Sequence, residues 1–283
     1  MPERFNVTMY VSYITTLKRI LRTPIIYVGI FALLLRFGFV LADDRSVVNE
    51  YITKAGWTTQ YFNSMTSEVY QDYLPVIFAV IVAVDYYSDR KNRFKELIQS
   101  SGAMRHVFKG QIFAYITVGM VISVLPIYTL FFTYCVKSGF AFGQGWNTAS
   151  VALRLATHYI SFSGTMIPFY TGLAVLFTAL FMNAIGGIVV SIGYDLLKLM
   201  GVKLFIDLSN TSDALSIYAI TPFARYLYPY HGAPMAIVMY LYGQDHPEAN
   251  QVAIEHFIAA FLCVFAVTLI MLFTSYRVEK RLE

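Results

Sequence analysis

Charge is scarce in this chain. Only 13% of its 283 residues are Asp, Glu, Lys or Arg, against about 25% in an ordinary soluble domain. That excludes a fully solvated surface. With 57% hydrophobic residues, 17% aromatic residues and a mean hydropathy of +0.57, the composition is that of a polytopic membrane protein. Cysteine is nearly missing. Cys135 and Cys263 both lie in apolar runs, which suits buried thiols rather than a disulfide or metal pair. The net charge of +4 is too small to argue for nucleic acid. No Gly-x-x-x-x-Gly-Lys-Ser/Thr run occurs, so the chain has no phosphate-cradling loop of that kind. No His-Glu-x-x-His pattern offers a metal site. Linkers, low-complexity tracts and repeats are also missing, which leaves one membrane domain over residues 1–283.

What is present is a series of apolar runs. A bilayer-crossing helix needs about 20 mostly apolar residues, and candidates fall near 25–42, 73–88, 110–135, 159–182, 184–204 and 252–276. Asp195, Lys198 and Lys203 interrupt the fifth. Residues Phe181 to Gly187 leave room only for a tight hairpin between the fourth and fifth. The expected fold class is all-α, with six transmembrane helices. Lys and Arg orient it. The segments assigned inside carry four (Arg4, Lys18, Arg19, Arg22), then six (Arg90, Lys91, Arg93, Lys95, Arg105, Lys109), then three (Arg277, Lys280, Arg281). The longer outer segments carry seven. Both termini are expected in the cytoplasm. Val40-Leu-Ala42 has small residues spaced as in a signal-peptide cleavage site, but Arg36 breaks the apolar stretch before it, so no cleavage is expected.

Ahead of the first span, Tyr10, Ile14, Leu17 and Leu21 recur on one helical face. Ser12, Thr15, Lys18, Arg19 and Arg22 take the other, and Pro24 ends the pattern. A helix over about 5–23, lying in the headgroup plane, is expected.

The stretch from Asp85 to Gly110 is the most informative. It is basic, lies between two apolar runs, and mixes Phe94, Leu97, Ile98 and Met104 with charges around a Ser-Ser-Gly break. Ser88, Asp89 and Asn92 are suited to cap a helix start, which places a short cytoplasmic helix at about 89–107. Its apolar side is of the kind that seats in a partner's groove.

Asp89, Arg90-Lys91, Glu96-Leu97, Gly102-Ala103-Met104-Arg105 and Lys109-Gly110 follow the order found in permease subunits of ABC transporters of the type-two export class, also called type V exporters. The chain resembles that family over nearly its whole length: an interfacial elbow helix, a span and outer loop, a second span running into a coupling helix, a hairpin of spans four and five with Asn183 at the turn, a long outer segment and a last span. Asp89 stands where Glu is more frequent, and Gln111 where a Lys usually follows the glycine. The resemblance implies that Asp89, Arg90, Lys91, Phe94, Glu96, Leu97, Gly102, Met104 and Arg105 contact an ATPase subunit. It implies two permease chains, as a homodimer or with a paralogue, above two ATPases in the plasma membrane. No cofactor is expected on this chain, with ATP and Mg held by the partner. The cargo expected is hydrophobic or amphipathic: a peptide, a toxin or drug, or a lipid. The competing class is a membrane scaffold or sensor that anchors a cytosolic partner.

Some residues tempt an enzyme reading. His158 near Ser161-Phe-Ser163-Gly164 hints at an intramembrane protease, but no partner His lies deep in a late span. His231, His246 and His256 accompany Glu248 and Glu255 without ligand spacing. No enzyme is expected on this chain. Arg36 and Asp195 fall deep within spans one and five, where a charge is normally paired or lines a cavity. A structural pair and a cargo-path role both remain open at this point. The outer segment 205–251, rich in Pro and Tyr, suits a re-entrant lid or an interfacial anchor.

Overall fold

The computed structural model describes residues 2–43, 74–91, 104–137, 148–194, 196 and 247–281. Those residues form seven helices and no strand. They are α1 (Pro2–Arg22), α2 (Pro24–Asp43), α3 (Leu74–Lys91), α4 (Met104–Lys137), α5 (Thr148–Phe181), α6 (Ala184–Tyr194) and α7 (Pro247–Arg281). The all-helical class is as expected. Among the described residues one stretch, Met104–Leu125, is long and apolar enough to cross a membrane. Met166–Phe181 and Ala184–Tyr194 are shorter apolar helices.

The first break is made by Thr23 and Pro24. The Thr23 N–H donates to the Ile20 carbonyl at 3.0 Å and the Ile26 N–H to the Thr23 carbonyl at 3.2 Å. Proline has no N–H to give and is tolerated at a first helical position. The chain therefore turns within one residue. A second break follows α5. Met182 takes a left-handed backbone, φ 51°, and Asn183 Oδ1 accepts the Ile185 N–H at 3.1 Å, capping α6. Gly187 then lies so close to Thr178 and to the Ala174 carbonyl that a Cβ would clash with both. That absence of a side chain lets α6 fold back along α5.

The core lies where α3, α4 and α5 meet. Phe78, Ile81, Val82, Tyr115, Val118, Ile167, Tyr170 and Ala174 are all buried there. Polar side chains tie α4 to α5 within it: Ser163 Oγ donates to Ser123 Oγ at 2.8 Å, and Tyr159 OH to the Met120 carbonyl at 2.8 Å. α3, α5 and α7 bring their C-terminal turns to one end of the bundle, where α4 and α6 begin.

α1 crosses the start of α4, and its polar side is divided. Thr16 and Ile20 are buried, Ser12 and Arg19 are half-buried, and Thr15, Lys18 and Arg22 are exposed. Tyr10 and Leu21, from the expected apolar stripe, are uncovered. The sequence pattern put Ser12 and Arg19 on an outward face. They turn inward because their partners sit on α3 and α4.

Gly110 permits that approach. A Cβ there would stand 2.5 Å from the Met9 carbonyl oxygen and 2.9 Å from the Ser12 Cβ. With only a hydrogen present, Ser12 Oγ donates to the Val107 carbonyl at 2.9 Å.

Candidate functional site

Four residues in the last turns of α3 organise the end of the bundle. Asp85 and Asp89 are four apart and share one helix face; Tyr86 and Arg90 share the next. The two faces hold different helices.

On the first face, Arg19 of α1 meets Asp85 through two parallel bonds, Nε to Oδ1 at 2.8 Å and Nη2 to Oδ2 at 2.7 Å. This is the fork geometry in which guanidinium–carboxylate pairing is strongest. Its third nitrogen donates to Asp89. Tyr115 OH of α4 donates to Asp85 at 2.8 Å, and Gln111 of α4 donates to Asp89. The Asp85 side chain is 3% exposed, and those of Asp89 and Arg19 about a quarter. Burial alone would lower the Arg19 pKa, but the hydrogen bonds and charge of Asp85 outweigh it and raise it. Asp89 lies one residue past the span expected at 73–88. Burial pushes its carboxyl above the usual range, and the neighbouring Asp85 adds to this against the opposing pull of Arg19.

On the second face, Arg90 Nε lies 3.1 Å from Glu279 of α7, with side chains 13% and 5% exposed. Arg90 also donates to the Ala179 carbonyl at the end of α5, at 3.3 Å. Its guanidinium carbon stands 5.7 Å from the Tyr86 ring centroid, within cation–π range. The Tyr86 hydroxyl donates to Glu279. α3 thus joins α1 and α4 on one side to α5 and α7 on the other. Charges this deep are costly unless they are paired and hydrogen-bonded, and here each has both.

Between the two networks lies a cavity of about 320 Å³. Arg19, Asp89, Arg90, Gln111 and Glu279 supply its polar wall, Thr8, Ser12 and Thr16 add hydroxyls, and Val107 and Phe108 close its apolar side.

The residues expected at an ATPase contact divide three ways. Asp89, Arg90 and Lys91 were expected to open a separate helix; they form the end of α3, which runs on through Lys91. Ser88 and Asp89 are therefore not N-caps, and Asp89 and Arg90 engage partners within the chain. Met104 and Arg105 open α4, with Arg105 exposed and Met104 on the cavity wall. Phe94, Glu96, Leu97 and Gly102 lie outside the described residues, as does Asp195. Arg36 falls on α2, and its pairing with Asp195 also lies outside what is described. The hydroxyl of Ser163 is spent on Ser123 between two helices. Among the described residues, no group of three or more His, Cys, Asp or Glu is placed to hold a metal.

Sequence reasoning missed Asp85, Gln111, Tyr115 and Glu279. A signal existed. Asp85 lies inside an expected span and Glu279 just beyond one. The demand for a partner that singled out Arg36 and Asp195 applied equally to Asp85. No family model, curated protein or solved structure matches the chain.

Proposed function

We propose that this chain is the membrane-embedded permease subunit of an ATP-driven exporter, with a separate ATPase acting on the segment between α3 and α4. The observation that supports it most is the junction at the end of α3. Residues 92–103 connect that turn to the start of α4, and the turn is bonded to α1, α4, α5 and α7. Force applied to the connecting segment reaches four helices through short charge-assisted bonds rather than through loose loops. Lys91 and Arg105 stand exposed at either edge of that segment, available to a partner.

In this reading the chain crosses the membrane six times, α1 lies along the inner surface, and both termini face the cytoplasm. Two permease chains stand above two ATPases that bind ATP and Mg. The exposed apolar side chains on α2, α6 and α7, among them Phe31, Val189 and Phe273, are then the surface that meets lipid. Cargo is hydrophobic or amphipathic.

The test has two arms. A cysteine at Asn92 should be labelled only from the cytoplasm and one at Gln244 only from outside; labelling of both from one face sinks the six-span arrangement. Leu97→Asp and Arg105→Glu should each release a co-purifying ATPase or abolish cargo-stimulated hydrolysis while the chain stays folded in the membrane. Full association and transport in both variants would leave residues 92–103 as a plain connecting loop and favour the scaffold reading.

A further inference from the structure

We infer that the bend between α1 and α2 is a binding site for a phospholipid with an anionic phosphate headgroup. A surface groove of about 530 Å³ runs along it, lined by Ile14, Thr15, Lys18, Arg19, Arg22, Thr23 and Pro24.

Three features of the groove point to that ligand. The first is charge. Arg19 is already committed, each of its three nitrogens donating to Asp85 or Asp89. Lys18 and Arg22 are exposed and in no ion pair among the described residues. They are four residues apart on one helix, where two like charges repel. An anion bridging them removes that repulsion and gains hydrogen bonds from both.

The second is chemistry. The Thr15 and Thr23 hydroxyls donate to the Val11 and Arg19 carbonyls at 2.7 and 2.9 Å. The donors left to a ligand are an ammonium and a guanidinium, the pair that suits phosphate oxygens. A headgroup ammonium would find no carboxylate on the groove wall.

The third is the border. Leu21, Tyr27 and Val28 are all exposed close to the bend, and the Tyr27 hydroxyl donates across it to the Leu21 carbonyl at 2.8 Å. A free phosphate has no use for that apolar rim, whereas acyl chains do. The bend itself is held by its two backbone hydrogen bonds, so the groove is in place before any ligand arrives.

The proposal rests on the membrane part of the reading above and is independent of the transporter part. The experiment uses the full chain in nanodiscs of phosphatidylcholine mixed with phosphatidylglycerol, followed by native mass spectrometry of the lipids retained on release. The wild type should retain phosphatidylglycerol preferentially. Lys18→Ala/Arg22→Ala should cut that preference on the order of tenfold, given the attraction of each basic residue to anionic lipid. Lys91→Ala/Arg105→Ala, at the other edge of the basic end, should leave it unchanged. A wild type without preference overturns the site, as does a Lys18/Arg22 variant that keeps it. Heat protection of the detergent-purified chain by inorganic phosphate, equal to that by short-chain phosphatidylglycerol, overturns the lipid and leaves a bare anion site. A chain that does not sediment with membranes after alkaline extraction would instead refute the membrane reading, which separates the two failures.

Discussion

The two faces of the α3 terminus solve one problem with different stoichiometry. Toward α7, one guanidinium meets one carboxylate, and Tyr86, the Ala179 carbonyl and near-complete burial do the rest. Toward α1, one guanidinium serves two carboxylates, so the acids exceed the bases. Neutral donors on α4, Gln111 and Tyr115, take up the excess lone pairs, and Asp89 holds its proton more readily than an ordinary aspartate. The α7 side behaves as a fixed rivet. The α1 side carries a carboxyl that responds to its surroundings.

The sharpest way to break the comparison is to remove the shared cation. Arg19→Met leaves both Asp85 and Asp89 without a counter-charge and should cost about 3–5 kcal/mol, the range for an orphaned buried charge. Adding Asp85→Asn should recover part of that loss in a double-mutant cycle read by thermal unfolding in detergent. Strictly additive losses would show that the two side chains act separately. On the other face, Glu279→Gln keeps the shape and the bond from Tyr86 but deprives Arg90 of its counter-charge. A loss of about 1–3 kcal/mol is expected, with a small downward shift in the Asp89 titration, because the Glu279 charge makes the smallest contribution to holding that carboxyl up. An unchanged titration would show that the two networks do not communicate.

Gly110→Ala tests how α1 reaches the first network at all. The added methyl meets backbone rather than a movable side chain, so α1 must lift, at a cost of about 1–3 kcal/mol. An alanine there without effect would mean that α1 is not seated on α4. The smallest expected effect is in pH. Because burial raises the Asp89 pKa, its contribution favours the fold fully below its ordinary value near 3.8 and is lost as pH rises through the raised value. The melting temperature of the wild type minus that of Asp89→Asn should therefore move in the wild type's favour as pH drops from 7 toward 4. A constant or opposite trend removes the titrating role.

Local features of the fold were legible in the sequence. Pro24 marked the end of α1, and residues 181–187 marked the turn before α6, because proline and turn chemistry act within a few residues. The charge partners were not legible. Arg19 and Asp85 are 66 residues apart, and Tyr86 and Glu279 are 193 apart; no periodicity reports such distances. The face that α1 presents misled for the same reason. Its alternation shows which side is greasy, yet the inward turn of Arg19 depends on two acids in a distant helix. The stretch from Asp89 read as a helix start because Ser88, Asp89 and Asn92 are capping residue types; in the structure Ser88, Asp89, Arg90 and Lys91 form the far end of α3.

The separation between Tyr86 and Glu279 also sets an order of assembly. A chain made from its N-terminus presents Arg90 long before α7 exists, so α3 must wait with an unmatched guanidinium while the intervening residues are synthesised. Arg19, by contrast, meets its aspartates as soon as α3 emerges. The α1 side is thus completed early in biogenesis and the α7 side last, which makes the Glu279 contact the lock that closes the finished bundle.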